Sequence, residues 1–407
     1  MADYIEEKTN KAFETAKLTS YWLELAGVPE AVEYAKLIHL DEELNPEEIP
    51  HYEDMCFLNP IVHEIRYRAI NHYIEQSGCR NILDLACGYS PRGLYFARKG
   101  YQYIGGDLPV VAEQLRDVVK DTGVDGLFYG GVDVTNFRSL KALADRVEGP
   151  CCVVAEGLAM YLNTAEAETF RNNIARLLRE REGSVFITTD PAQGYLFFDV
   201  ISSWRPMDRF MQTIGELFEM YNWASDGGIT MQTAKRPLEE DLELFRKAGL
   251  SVKQYPLLPP GTELVTAQRL PEAGKQALYA ALSHPYVFVA DVEAETQEGN
   301  ENIHDQPQNE RPFSLHAERN DEKLRMAVRG RLDSLSAPEM LRVFESEKAR
   351  IREVEVDLAE TEFISSGGLR VFYLMKKELK DPEALKLVNV PEKLKQTIDD
   401  DEIIKRL

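Results

Sequence analysis

The chain contains no run of the ~20 consecutive apolar residues that a bilayer crossing requires, so no membrane-spanning helix is expected in its 407 residues. Its opening segment, MADYIEEKTNKAFETAK, carries too many charges for the apolar centre of a secretory signal, which leads to the expectation of a cytoplasmic protein. Cysteine is scarce: Cys56, Cys79, Cys87, Cys151 and Cys152 are the five. An odd number without framework spacing excludes a disulfide scaffold and predicts free thiols in a reducing compartment. The adjacent Cys151 and Cys152 open an apolar strand and read as core packing rather than redox chemistry. Positive charge is also short, with 47 Lys and Arg against 69 Asp and Glu and a net charge of −22. Neutralising phosphates takes clustered Lys and Arg, so this balance argues against a nucleic-acid surface. Histidine and cysteine nowhere stand at metal-ligand spacing, so no metal is expected. His51, His63 and His72 read as surface positions of N-terminal helices. Internal repeats are absent as well.

What is present organises into segments. The length predicts two or three domains, and 44% hydrophobic residues is enough for most of the chain to fold. Residues 1–75 read as helical, with Tyr21, Trp22, Leu23 and Leu25, then Ile61, Ile65 and Ile70, at helix-compatible spacings. They are expected to form a lid or cap. From residue 76 to 292, short apolar runs at 82–86, 101–105, 127–132, 152–155, 185–189, 252–257 and 286–292 alternate with helical patterns such as 165–181 and 238–248. This alternation predicts an α/β fold with a doubly wound, mostly parallel seven-stranded sheet, Rossmann-like in class. Residues 191–236 interrupt it with Tyr195, Phe197, Phe198, Trp204, Phe210, Phe218, Tyr221 and Trp223. They form either a specificity element above the strand ends or a helical pair that merely covers the sheet.

The stretch 291–311, DVEAETQEGNENIHDQPQNER, has seven acids, one Arg and little to bury. It predicts a linker, assigned to 293–311. Beyond it, strands at 313–316, 324–328, 354–358 and 385–388 and helices at 337–348, 368–379 and 392–398 predict a small α/β domain over 312–407.

Polar residues mark the ends of the first strands. NILDLACG over 81–88 is a strand with Asp84 inside it, followed by a turn at Gly88 and a helix start near Pro91 and Arg92. Glycine allows close backbone approach, and a helix start offers free N–H groups and a positive dipole end. A dinucleotide fingerprint would need G-x-G-x-x-G, whereas this turn reads Ala86-Cys87-Gly88-Tyr89-Ser90-Pro91. Pyrophosphate is therefore disfavoured, and Asp84 suits a ligand with an amino-acid ammonium end. Asp107, at the tip of the second strand, is placed to accept two ribose hydroxyls. Asp133, after the third, is placed to accept the exocyclic amine of adenine. Either aspartate alternatively serves as a helix cap or turn residue. Glu156 and Tyr161 stand at the end of the fourth strand.

The run ILDLACG, followed by GGDLP, GGVDVTN and AEGLAMYL, resembles the class I S-adenosylmethionine (SAM)-dependent methyltransferases, and more narrowly the leucine carboxyl methyltransferase family. The resemblance covers roughly 55–292, with family motifs falling on Arg66, on Asp107-Leu108-Pro109, and on Glu156-Gly157 through Tyr161-Leu162. It implies SAM as cofactor, with Arg66 on its carboxylate, Asp107 on the ribose, Asp133 on adenine, the Gly88 turn along the methionine portion, and Asp84 and Glu156 in the same site. Arg68 competes with Arg66 for the first role. Three departures stand out: the family has a second glycine at Ala86, Asp-Thr-Arg where this chain has Ser90-Pro91-Arg92, and a Lys in the helix after Asp-Leu-Pro where this chain has Leu115 and Arg116 nearby. Methyl transfer relies mainly on positioning and exclusion of water. A carboxylate acceptor needs no base, whereas a hydroxyl acceptor would be assisted by Tyr161 or Glu156.

In the last domain, GRLD at 330–333 with Ser336-Ala337-Pro338, then Val356-Asp357-Leu358, then Ile364-Ser365-Ser366-Gly367-Gly368-Leu369-Arg370, resembles the STAS domain of anti-sigma factor antagonists over about 313–407. Aligned on Gly368-Leu369, the family's phosphorylated serine is Ser366, and Ser365 replaces the preceding aspartate. The sequence thus reads as a bacterial-type SAM-dependent O-methyltransferase of a small molecule or carboxyl group, joined to a STAS regulatory module. The resemblance implies an anti-sigma factor or serine-kinase-like partner for that module. The alternative is a non-catalytic SAM sensor whose output is the STAS domain.

Overall fold

The computed structural model describes residues 12–120, 122–224, 237–292, 312–379 and 381–400. The chain divides into two compact units, one formed by Ala12–Glu293 and one that contains Ala294–Leu407. The expected linker at 293–311 lies outside the described residues, as does 225–236 of the aromatic insertion.

The first unit opens with helices α1 (Ala12–Leu25), α2 (Pro29–Leu37) and α3 (Tyr52–Gln76). Its sheet then alternates strands and helices: β1 (Asn81–Leu85), α4 (Arg92–Arg98), β2 (Gln102–Asp107), α5 (Pro109–Lys120), β3 (Leu127–Gly131), α6 (Phe137–Ala144), β4 (Cys151–Ala155), α7 (Thr164–Glu180) and β5 (Val185–Thr188). Helices α8 (Gln193–Trp204), α9 (Met207–Ala224) and α10 (Leu238–Lys247), strand β6 (Leu250–Tyr255), helix α11 (Glu272–Ala281) and strand β7 (Val287–Val292) complete it. The strand order is β3-β2-β1-β4-β5-β7-β6. Strand β7 inserts between β5 and β6 and runs antiparallel to both, while the other pairings are parallel. This is the doubly wound, Rossmann-like sheet of the class I methyltransferase type.

Strands buried on both faces must be apolar at nearly every position, and the pleat sends alternate side chains to opposite sides. Ile82 of β1 and Cys152 and Val154 of β4 enter one apolar layer, together with residues of α1, α3, α4, α5 and α8. Leu83, Leu85, Cys151, Val153 and Ala155 enter the other, with residues of α6 and α7. The two adjacent cysteines therefore point into different layers and are fully buried. Helix α7 starts where the local chemistry dictates: Asn163 accepts from the Glu166 amide, and the Glu166 side chain accepts from the Asn163 amide.

Two features position the site. The register aligns Leu85 with Gly106 and with Ala155, so the turns after β1, β2 and β4 emerge side by side at one sheet edge. Helix α1 is anchored in the main core by Leu18 and Trp22, while Leu23 packs with Ala26, Val28, Ala31 and Tyr67. Its packing makes it part of the body of the unit.

The insertion helices α8 and α9 divide their aromatic side chains between core and solvent. Phe197 and Phe210 are buried, whereas Tyr195, Phe198, Phe218 and Trp223 face solvent.

The second unit holds a four-stranded sheet in the order β11-β10-β9-β8, with β8 (Ser314–Asn320), β9 (Lys323–Leu332), α12 (Ala337–Glu347), β10 (Glu353–Ile364), α13 (Ser366–Glu378), β11 (Leu385–Val388) and α14 (Glu392–Asp400). Strands β8 and β9 are antiparallel, and β10 runs parallel to both β9 and β11. Leu324, Met326 and Val328 of β9, Val354 and Val356 of β10, and Met340, Phe344, Phe372 and Met375 of the helices form a core of its own. No described helix in either unit is long and apolar enough to cross a membrane.

Candidate functional site

Helix α3 brings the first site residue to the sheet edge. Arg66 is 4% exposed, whereas Arg68 lies on a more open face and pairs with Glu64 at 2.8 Å. Burial thus separates two arginines that sequence left in competition. The Arg66 Nε stands 3.2 Å from Oε1 of Glu156, an ion-pair distance without an aligned hydrogen bond. Among the described residues, its guanidinium makes no hydrogen bond at all. Gly157, just after Glu156, has φ +74°, which favours glycine, and a Cβ there would stand 3.1 Å from the Arg66 Nη2 and crowd the guanidinium.

A second arginine completes the arrangement. Arg92, at the start of α4 and 2% exposed, donates from Nε to Asn71 Oδ1 (2.8 Å), from Nη1 to Asp84 Oδ2 (2.9 Å) and from Nη2 to Glu156 Oε2 (2.5 Å). Burying a guanidinium is tolerable only with such pairing. Asp84 also accepts from the Tyr103 hydroxyl at 2.7 Å. The carboxylate expected to meet an ammonium group is 1% exposed and engaged by Arg92 and Tyr103, so in this structure it anchors Arg92. Burial raises the Asp84 pKa, against the pull of Arg92. For Glu156, burial likewise pushes upward, but Arg66 and Arg92 together outweigh it and hold the carboxyl below its ordinary range. An acid held ionised between two guanidiniums is a poor proton acceptor.

At the next strand end, Asp107 Oδ2 accepts from the Gly88 amide (2.7 Å) and Oδ1 from the Leu108 amide (2.8 Å). The carboxylate thus ties the turn after β1 to the end of β2, and burial pushes its pKa up to about 6. The turn is tightly wound: Gly88 has φ +49° and Ala86, where the resembling family has glycine, has φ +53°. Helix α1 packs directly onto it, since a Cβ on Gly88 would meet Ala16 Cβ at 2.8 Å. The same helix hydrogen-bonds the Thr15 hydroxyl to the Tyr161 hydroxyl and the Ser20 hydroxyl to the Tyr89 carbonyl. Burial raises the Tyr161 pKa, which keeps its hydroxyl protonated at neutral pH.

Asp133 builds its own turn, with Oδ1 accepting from the Thr135 amide (2.8 Å) and hydroxyl (2.6 Å). The helix cap beyond it is Asn136, which accepts from the Ser139 amide at 3.1 Å. Arg66, Asp84 and Glu156 form one linked network, with Gly88, Asp107 and Tyr161 joined around α1. Asp133 stands one strand over, where the Val132 amide bonds the Asp107 carbonyl at 2.8 Å. Ser366 belongs to the other unit, as the first residue of α13.

Sequence reasoning missed three participants. Arg92 is the hub of the network. Asp190, just after β5, accepts from the amides of Gly157, Leu158 and Ala159 at 2.6, 2.9 and 2.8 Å and so shapes the turn that carries Tyr161. His63 is not at the surface: it is 3% exposed, its Nδ1 is 2.8 Å from the Asn59 carbonyl, and burial with the nearby Arg66 charge lowers its pKa to about 4.

No family model matches the chain, nor does any curated protein. Among solved structures, an O-methyltransferase family protein from Burkholderia thailandensis is 14% identical, with a TM-score of 0.32 over 61% of this chain and 61% of that one. The match thus spans less than two thirds of that protein. PigF with SAH is 16% identical, with a TM-score of 0.34 over 63% of this chain and 62% of that one. Magnesium protoporphyrin IX methyltransferase from Synechocystis PCC 6803, with bound SAH, is 10% identical, with a TM-score of 0.34 over 64% of this chain and 94% of that one. Likenesses this distant add nothing to what the strand order shows.

Proposed function

We propose that the first unit is a SAM-dependent O-methyltransferase of the leucine carboxyl methyltransferase type. The observation that carries this reading is Arg66, a buried guanidinium without a hydrogen-bond partner among the described residues, at the sheet edge of a class I methyltransferase fold. It fits the carboxylate of an amino-acid end, which guanidinium binds with charge-assisted hydrogen bonds. Asp107 has lone pairs beyond those used by Gly88 and Leu108, and these suit ribose hydroxyls. Asp133 suits the adenine side. When bound, the cofactor supplies a methyl group on a sulfonium.

The chain's own residues hold the partners and exclude water. Helix α1, fixed by Thr15–Tyr161 and Ser20–Tyr89, covers the Gly88 turn. Glu156 is held ionised and Tyr161 protonated, so neither of the expected bases readily takes a proton. This favours a carboxylate acceptor, which has no proton to lose, over a hydroxyl. Calorimetry with SAM and S-adenosylhomocysteine (SAH), followed by methyl transfer to paired carboxylate and hydroxyl acceptors, tests the reading. Base-labile methyl esters are the expected product, and a chain that binds neither nucleoside refutes it. The non-catalytic sensor draws support from α1 closing over the Gly88 turn, and binding without transfer to any acceptor would favour it.

For the second unit we propose a STAS-type interaction module acting on an anti-sigma factor or serine-kinase-like partner. Its support is the mixed four-stranded sheet and the Ser365–Ser366 start of α13.

A further inference from the structure

Two arginines share one carboxylate at the site, and they share it unequally. Left alone with a glutamate, a buried arginine closes into a two-point, fork-to-fork pair that uses both carboxylate oxygens. Arg66 does not do so. Glu156 Oε2 is taken by Arg92 Nη2 at 2.5 Å, and Oε1 meets only the Nε edge of Arg66, at 3.2 Å. Arg92 in turn cannot swing away, because Asn71 and Asp84 hold its other nitrogens at 2.8 and 2.9 Å. The outcome is a buried cation whose charge is partly balanced but whose hydrogen-bonding capacity is unspent.

We propose that Arg92 is a positioning residue for the cofactor: by holding Glu156, it stops that carboxylate from closing on Arg66 and keeps the Arg66 guanidinium available to an anionic ligand group. This rests on the cofactor reading given above and goes beyond it, because Arg92 spends its own donors on Asn71, Asp84 and Glu156. Without Arg92, Glu156 becomes an internal competitor for Arg66. The loss then falls on ligands that carry a carboxylate and spares those that lack one.

Two nucleosides separate these cases: SAH, which has the amino-acid end, and 5′-methylthioadenosine, which lacks it. Titration calorimetry on the full chain would compare wild type, Arg92→Met, Glu156→Gln and the double variant. We expect Arg92→Met to weaken SAH by about tenfold or more, the scale of a charge-assisted hydrogen bond, with methylthioadenosine changed less than about twofold on the same scale. Removing the competitor in Arg92→Met/Glu156→Gln should restore most of the SAH affinity, a rescue that a merely structural role would not produce. A folded Arg92→Met protein that binds SAH like wild type overturns the proposal. So does equal weakening of both ligands, or a double variant no better than the single one. Because Arg92→Met leaves Asp84 buried without its cation, Asp84→Asn/Arg92→Met carries the same comparison should the single variant not fold. A wild-type chain that binds neither nucleoside overturns the cofactor reading itself, a result distinct from any of these.

Discussion

Two titrating residues set opposite pH slopes in the first unit. Asp107 has a folded pKa of about 6, above its ordinary 3.8. Between those values the folded state holds a proton that the unfolded state has released, so this group's stabilisation is complete below 3.8 and is lost as pH rises through about 6. His63 is shifted the other way, from 6.5 to about 4, so its contribution is complete above 6.5 and is lost as pH falls through about 4. The slopes oppose one another over the same window. His63→Gln should therefore show a melting temperature that falls more, or rises less, from pH 4 to 6 than wild type, and Asp107→Asn the reverse. Parallel profiles in all three proteins would contradict this. Asp107→Ala should also weaken SAH by roughly 1.5–3 kcal/mol, the value of a charged hydrogen bond, measured by calorimetry at pH 7.5. The turn at Gly88 and the acid that ends β2, Asp107, were legible because short motifs mark them. Asp84 was legible as an acid inside β1 but its partner was not, because an acid inside a buried strand needs a buried cation before it can serve a ligand. That requirement was itself a signal, pointing to Arg92 on the helix that follows. His63 was misread as surface although Ile61, Val62, Ile65, Ala69 and Ile70 surround it, a pattern apolar on too many sides for an exposed helix.

At the scale of elements, the strands were readable because parallel strands covered on both faces are short unbroken apolar runs. The run expected at 127–132 is β3 at Leu127–Gly131, and the one expected at 185–189 is β5 at Val185–Thr188. The standing of α1 was not readable. Its apolar residues announce a helix but not what they pack on, and Trp22 is 1% exposed in the main core. Trp22→Ala should cost roughly 3–5 kcal/mol in urea unfolding, as for other large core truncations; a loss below about 1 kcal/mol, near that of surface substitutions, would make α1 a loose cover after all. In the second unit, Ser365 is 1% exposed and caps α13 by accepting from the Gly368 amide at 3.2 Å, whereas Ser366 is half-buried as the first helical residue. Ser365→Ala should therefore cost about 1 kcal/mol as a lost cap. Ser366→Asp should leave the melting temperature nearly unchanged and weaken capture of an anti-sigma-type partner. Phosphate mapped to Ser365 would reverse that assignment.

Each unit has a core of its own, and among the described residues the one in the second unit draws on residues between Phe313 and Ile398. Expressed apart, 12–293 and 312–407 should each melt cooperatively by calorimetry; a fragment without a transition would show that its core is insufficient alone. The distribution of sulfur between the units has a practical consequence. All five thiols belong to the first unit: Cys79, Cys87, Cys151 and Cys152 are buried, and only Cys56 is partly open. A small alkylating reagent should mark Cys56 first and reach the other four only as fast as the sheet around them opens. The mass of the product then works as a clock for that opening, silent to anything the second unit does, with no label engineered into the chain.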